Sequence, residues 1–171
     1  GGVYNIEGMD PKAVVDFKIK TGKVTGFPGT QPISNEDLLE LEVDVLYPAA
    51  LENVITENNA DKIEAKICCE LSNGPTTPEA DKILHVKGVH VIPDFLANAG
   101  GVTVSYFEQV QGTCNYYWSL AEVQSLLDRK MTEAYRAVFK MHKDKKVHMR
   151  LAAYLVAVSR VAEAVKLRGW V

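Results

Sequence analysis

Three short apolar runs, each closed by turn-forming residues and separated by helix-forming stretches, limit what this chain can fold into. They span residues 43–47, 66–71 and 89–92, and run into Pro48, Ser72-Asn73-Gly74 and Pro93-Asp94 respectively. A helix within 56–64 separates the first two, and a helix opened by Thr77-Pro78-Glu79 and reaching Lys87 separates the second and third. Alternation of this kind builds a parallel sheet with right-handed crossovers, in which consecutive strands lie side by side. The expected class is α/β, with the 66–71 strand in the middle of the sheet.

Local signals place the remaining elements. Asp10 followed by Pro11 supplies a cap and a proline at the first helical position, opening a helix to about Lys20 with Val14, Val15 and Phe17 on its apolar side. Residues 21–32 hold three glycines and two prolines and read as loop, with at most a short strand at 23–27. Ser34-Asn35-Glu36-Asp37 caps a brief helix ending near Leu41. From Ala99 onward only helices are expected. Ser119 and Glu122 form a capping box for a long one, and the last runs from about Met149 to Arg168, where Gly169 stops it. Its positions Tyr154, Leu155, Val158, Val161, Ala162 and Val165 recur at helical spacing and are expected to pack. The basic stretch 142–146 is expected to be a solvated linker between the two helices.

In open α/β sheets, ligands bind beyond the carboxyl ends of the strands. Ala49 and Ala50 after the first strand leave room for a flat ring or a ribose. The Asn73 amide after the second can both donate and accept, although an Asn-Gly pair is also common turn chemistry. After the third strand, Asn98 precedes paired glycines that open an amphipathic helix. Adjacent glycines are costly there and suit a place where a ligand approaches the main chain. Val102 and Ser105 are three apart and share a helix face, though a helix serine can equally bond back to a carbonyl.

Composition removes several function classes. With 171 residues the chain can bury one core but is short for two domains. A net charge of −3 gives no reason to expect nucleic acid or an anionic membrane as partner, and no apolar run is long enough to span a bilayer. Cys68, Cys69 and Cys114 make no disulfide framework; adjacent thiols on a strand should point to opposite faces as small buried groups. His85, His90, His142 and His148 lack metal-ligand spacing, and no metal site is expected. Cytoplasmic location is the default expectation.

The segment from Pro93 through Asn98, Gly100 and Gly101 to Glu108 resembles the end of the nucleotide-binding domain of glutamate dehydrogenases, in the Glu/Leu/Phe/Val amino-acid dehydrogenase superfamily. The run from Asn73 to Asp81, Pro48-Ala49-Ala50, Gly1-Gly2-Val3-Tyr4-Asn5 and the stretch from His148 to Trp170 are similar to further segments of that family. The resemblance implies a partial Rossmann NAD(P)-binding domain over residues 1–118, lacking its first β-α-β unit, and a helical segment over 119–171 packed on it. No G-x-G-x-x-G follows a strand. The chain is therefore expected to be the C-terminal part of a longer enzyme, inactive alone and binding nucleotide weakly at best. The resemblance places Ala49 and Ala50 near the adenosine side of the nucleotide, Asn73 at the nicotinamide ribose and Asn98 at the nicotinamide carboxamide. It puts Val102 against the substrate's methylenes and Ser105 on its side-chain carboxylate, which favours L-glutamate over branched or aromatic amino acids. The implied reaction is oxidative deamination of L-glutamate to 2-oxoglutarate and ammonia with NAD or NADP, between which the sequence does not choose. No catalytic residue is assigned within the chain, and a homo-oligomer is expected. A free-standing nucleotide-binding or protein-interaction module without redox activity is the alternative.

Overall fold

A computed structural model describes residues 1–169; Trp170, part of the closing segment singled out above, lies outside the described residues. The chain opens with a small antiparallel ribbon in which β1 (Gly2–Tyr4) pairs with β2 (Gln31–Ile33). Helix α1 (Pro11–Thr21) lies in the connection, started by the Asp10 carboxylate, which accepts from the Lys12 amide at 3.0 Å. Residues 23–27 are loop, as read, without the short strand that they could at most have held, and β2 follows them. Gly26 and Gly29 take φ values of +90° and +76°, and the amides of Phe27 and Thr30 turn back onto the Val24 and Phe27 carbonyls. That is successive turn geometry, which a strand cannot accommodate. A short helix α2 (Asn35–Leu39) is capped by Ser34 as its sequence predicts.

The parallel sheet follows with strand order β3-β4-β5, where β3 is Val45–Leu46, β4 is Ile67–Cys69 and β5 is His90–Ile92. Val45 registers with Ile67, and Cys68 with Val91. The middle strand is the expected one. The connection from β3 to β4 departs from expectation: residues 56–64 hold only a 3-10 turn, Ala60–Lys62. Asn59 explains this, because its side chain accepts from the Thr56 amide at 2.8 Å and donates to the Val54 carbonyl at 2.9 Å. A side chain that satisfies the backbone locally competes with helix hydrogen bonding. From β4 to β5 the crossover is the expected helix, α3 (Pro78–Lys87) with Thr77 as its cap.

Two apolar clusters hold the molecule together. Ile55, Ile63, Cys68, Ala80 and Leu84 are fully buried between the sheet and α3. Burial pushes the Cys68 thiol up to about 12, so it is an inert packing group, while Cys69 on the other face is half-buried. The second cluster joins Leu96 to the helical hairpin of α6 (Leu120–Lys145) and α7 (Met149–Leu167) through Val138, Met149, Ala152 and Ala153. Before that hairpin come a one-turn helix α4 (Asp94–Ala97) and α5 (Gly100–Cys114).

Two expectations for the hairpin need correction. Residues 142–145 are the last turn of α6 rather than a linker, and Lys146, at φ +52°, is the residue that reverses the chain. Lysines and a histidine in a final turn complement the negative end of the helix dipole. On α7 the apolar positions Tyr154, Val158 and Val161 are 54%, 63% and 65% exposed. This helix fills the hairpin core with Met149 and the small side chains Ala152 and Ala153 instead, with Val156 packed against them, and the alanines allow close helix approach.

Candidate functional site

The loops leaving β3 and β4 are stapled together. The Pro48 carbonyl accepts from the Leu71 and Ser72 amides, each at 2.9 Å, and from the Ser72 hydroxyl at 3.2 Å. Beside this staple opens a cleft of about 680 Å³ lined by Ala49, Ala50, Leu51, Ser72, Asn73 and Asn98 among others. Four of the six expected site residues therefore meet at one place, the carboxyl ends of the strands. Within it Asn98 Nδ2 donates to Asn73 Oδ1 at 2.8 Å. That bond leaves Asn73 Nδ2 as a donor and Asn98 Oδ1 as an acceptor.

Val102 and Ser105 sit apart from this lining, exposed on the first turns of α5. Thr103 bonds back to the Ala99 carbonyl at 2.8 Å, whereas the Ser105 hydroxyl makes no such bond among the described residues. The paired glycines are not explained from within the chain. A Cβ at Gly101 would meet nothing within 4 Å, one at Gly100 only Leu127 at 4.0 Å, and neither residue has a positive φ.

Beneath the cleft lies a charged cluster that the sequence reading did not single out as a site. Arg150, in the first turn of α7, donates from Nη2 to Glu70 Oε1 at 2.6 Å, from Nη1 to Asp94 Oδ1 at 3.0 Å and from Nε to Asp81 Oδ2 at 3.2 Å. Glu70 is 0% and Asp81 4% exposed. Burial by itself would lower the Arg150 pKa, but hydrogen bonding to Glu70 and the charges of Glu70 and Asp81 outweigh it and hold the guanidinium above its ordinary value. The signal for this cluster was present in principle. Glu70 is a lone acid in an apolar strand run and Arg150 a base followed by nine residues without charge, and buried charges require partners.

All four histidines line one small cavity of about 30 Å³ beside Asp81. The His85 and His148 rings are 5.8 Å apart, and His90 and His142 6.3 Å. His148 Nδ1 lies 3.1 Å from Asp81 Oδ2. Among the described residues no group of three or more His, Cys, Asp or Glu side chains has an arrangement that could hold a metal ion.

A three-stranded parallel sheet with a polar cleft at its strand ends is consistent with a portion of a Rossmann-like α/β domain. The chain belongs to the Glutamate/Leucine/Phenylalanine/Valine dehydrogenase family, whose profile matches residues 1–169. It is 50% identical over 169 residues to a glutamate dehydrogenase of Thermotoga maritima, covering 99% of this chain and 41% of that enzyme. It is 47% identical over 168 residues to an NAD-specific glutamate dehydrogenase of Clostridioides difficile, covering 98% of this chain and 40% of that protein. The crystal structure of glutamate dehydrogenase from Peptoniphilus asaccharolyticus superposes with a TM-score of 0.81 at 39% identity, over 98% of this chain and 37% of that one. The chain thus spans about two fifths of the length of the proteins it matches. No helix among the described residues is long and apolar enough to cross a membrane.

Proposed function

We propose that this chain supplies the nicotinamide-side wall of an NAD-dependent glutamate dehydrogenase, with residues 1–118 as the nucleotide-binding part and 119–171 as a helical segment that braces it. The observation that carries this reading is the Asn73–Asn98 pair, held at 2.8 Å in a cleft that Ala49 and Ala50 leave open. One free amide donor and one free carbonyl acceptor match a carboxamide or a ribose edge, each of which both donates and accepts. Asn98 would take the nicotinamide carboxamide, Asn73 the adjoining ribose, and Ala49 and Ala50 the adenosine side. The nucleotide supplies hydride acceptance in the oxidation of L-glutamate to 2-oxoglutarate and ammonia. This chain's residues orient and select. The free Ser105 hydroxyl suits a side-chain carboxylate and the exposed Val102 suits methylenes, while the uncrowded start of α5 admits substrate close to the main chain. NAD rather than NADP is favoured by the specificity named for the Clostridioides difficile relative.

An exposed hydroxyl and an exposed valine on one face have no role in a module that binds nucleotide alone, which weighs against that alternative. The deciding experiment joins this chain to the upstream part of the Thermotoga maritima enzyme and follows NAD reduction with glutamate, leucine, valine or phenylalanine. Glutamate is expected to be the preferred substrate, and Ser105→Ala to reduce that preference about tenfold, the scale of one hydrogen bond to a charged group. The unjoined chain is expected to show no turnover. Preference for an apolar amino acid, or ordinary turnover by the chain alone, would overturn the reading.

A further inference from the structure

We infer that Asp94, clamped by Arg150 and Glu70, is a positioning residue for the Asn73–Asn98 pair, and so sets how well the cleft holds a nicotinamide nucleotide; this rests on the cofactor reading above. Asn73 and Asn98 stand on two separate loops, the first exposed and the second only partly buried, so packing does not by itself fix their spacing. Asp94 connects both. Its Oδ2 accepts from the Gly74 amide at 2.8 Å, one residue past Asn73. Its carbonyl accepts from the Asn98 amide at 2.8 Å, one helical turn further on. Gly74 has φ +56°, a conformation that a Cβ disfavours, so the hydrogen bond holds a turn with little steric guidance of its own.

The clamp leaves Asp94 few options. Its amide donates to Glu70 Oε2 at 2.8 Å, its Oδ1 receives Arg150 Nη1 at 3.0 Å, and Arg150 Nη2 closes the circuit on Glu70 Oε1 at 2.6 Å. Both oxygens of Asp94 and both of Glu70 are therefore used. Rotating the Asp94 carboxylate to release Gly74 also breaks its bond to a largely buried guanidinium. A planar guanidinium presents its donors in fixed directions, unlike a point charge, and transmits an orientation from the start of α7 to the floor of the cleft. Asp81 bonds the same guanidinium from the other side and makes no hydrogen bond to Gly74 or Asp94, which makes it an internal control.

The test uses the 171-residue chain, nicotinamide mononucleotide as the probe, and nuclear magnetic resonance to follow the Gly74 backbone amide and the Asn73 and Asn98 side-chain amides. Asp94→Asn keeps the size of the side chain but has one carbonyl oxygen, which cannot serve both Gly74 and Arg150. Asp81→Asn removes a buried charge of similar standing away from the loops. Both variants are expected to unfold at lower urea than wild type. Asp94→Asn is expected to bind the mononucleotide about tenfold more weakly, with faster hydrogen exchange at Gly74, the loss of one hydrogen bond to a charged group. Asp81→Asn is expected to match wild type in both readouts. Equal affinity of folded Asp94→Asn and wild type, or equal weakening by the two variants, would overturn the positioning role and leave the cofactor reading standing. Wild-type Asn73 and Asn98 signals that ignore the probe up to its solubility limit, where even the weak binding expected of the chain alone registers, would overturn the cofactor reading, and the inference with it.

Discussion

The loops at the carboxyl ends of β4 and β5 and the outer face of α7 lie within the same chain and obey opposite rules. At the strand ends even charge is interior: Glu70 is 0% exposed and every one of its oxygens is bonded. On α7, large and mainly apolar side chains stay in water, with Tyr154, Val158 and Val161 all more than half exposed. Ile6, Val15 and Ile19 near the start of the chain are exposed in the same way. A chain that desolvates four ionisable groups correctly has no difficulty burying a valine. The difference indicates that the strand-end region is self-sufficient, whereas the α7 face has the composition of a surface meant to be covered.

The largest expected effect tests the self-sufficient region. Arg150→Met keeps much of the apolar stem but leaves Glu70, Asp81 and Asp94 without their shared cation. Removing one partner of a buried ion pair costs about 3–5 kcal/mol. Urea unfolding of the purified chain is expected to show a loss of that order. A loss under about 1 kcal/mol would mean that water reaches the cluster, as it does for surface pairs, and the contrast with α7 would shrink.

What could be read from sequence divides along the same line. The three strands of the sheet were legible because apolar runs and their Pro or Asn-Gly stops are local signals. The caps at Asp10, Ser34, Thr77 and Ser119 were legible for the same reason. Ala49, Ala50, Asn73 and Asn98 could be grouped because strand ends in a parallel sheet converge, and the cleft does contain all four. Arg150 and Glu70 are separated by 80 residues, and periodicity carries no information about such a pairing. The helix expected within 56–64 is absent, and the loop at 23–27 holds no strand at all, for a different reason. In both, side chains or glycines satisfy the backbone in turns, and propensity summed over a window does not see a single Asn59 bonded to Val54. The α7 positions were read as a packing face, yet Val158 and Val161 have nothing over them among the described residues, since periodicity identifies a face and not what lies against it.

A smaller effect is expected from the histidine cavity, which lies between the two regions. Burial lowers the His90 pKa, and His142 and Lys143 nearby lower it further. Burial also lowers that of His148, partly offset by Asp81, with His85, Arg150 and His142 adding to the lowering. The folded chain thus resists protonation that the unfolded chain accepts near the ordinary value of 6.5. Stability from this source is fully present above that value and is lost as pH falls through the depressed folded values. The urea midpoint is expected to drop between about pH 7.5 and about pH 5. His90→Gln, which can still bond the Tyr135 hydroxyl, should flatten part of that slope. An unchanged slope would assign it to other groups of the cluster.

The smallest effect falls on α7, where Val158→Ser should change the stability of the monomer by less than about 0.5 kcal/mol, as exposed substitutions do. The same variant separates a face that is merely apolar from one that associates. Two surfaces compete for self-association. β3 is an edge strand, and α6 does not shield it, because α6 meets the sheet on the opposite side through Tyr135 and His90. Yet β3 is only two residues long, is followed by Pro48, and is flanked by the Asp44–Lys66 ion pair, all of which blunt an edge. The α7 face offers a continuous apolar stripe joined by Phe95, whose ring lies 4.8 Å from that of Tyr154. Light scattering across a concentration series is expected to show assembly of the wild-type chain. Val158→Ser should shift that assembly to higher concentration while leaving dilute-limit stability unchanged. A mass that stays monomeric at every concentration would show that both bare surfaces are tolerated in water. Assembly insensitive to Val158→Ser would move the contact to the β3 edge.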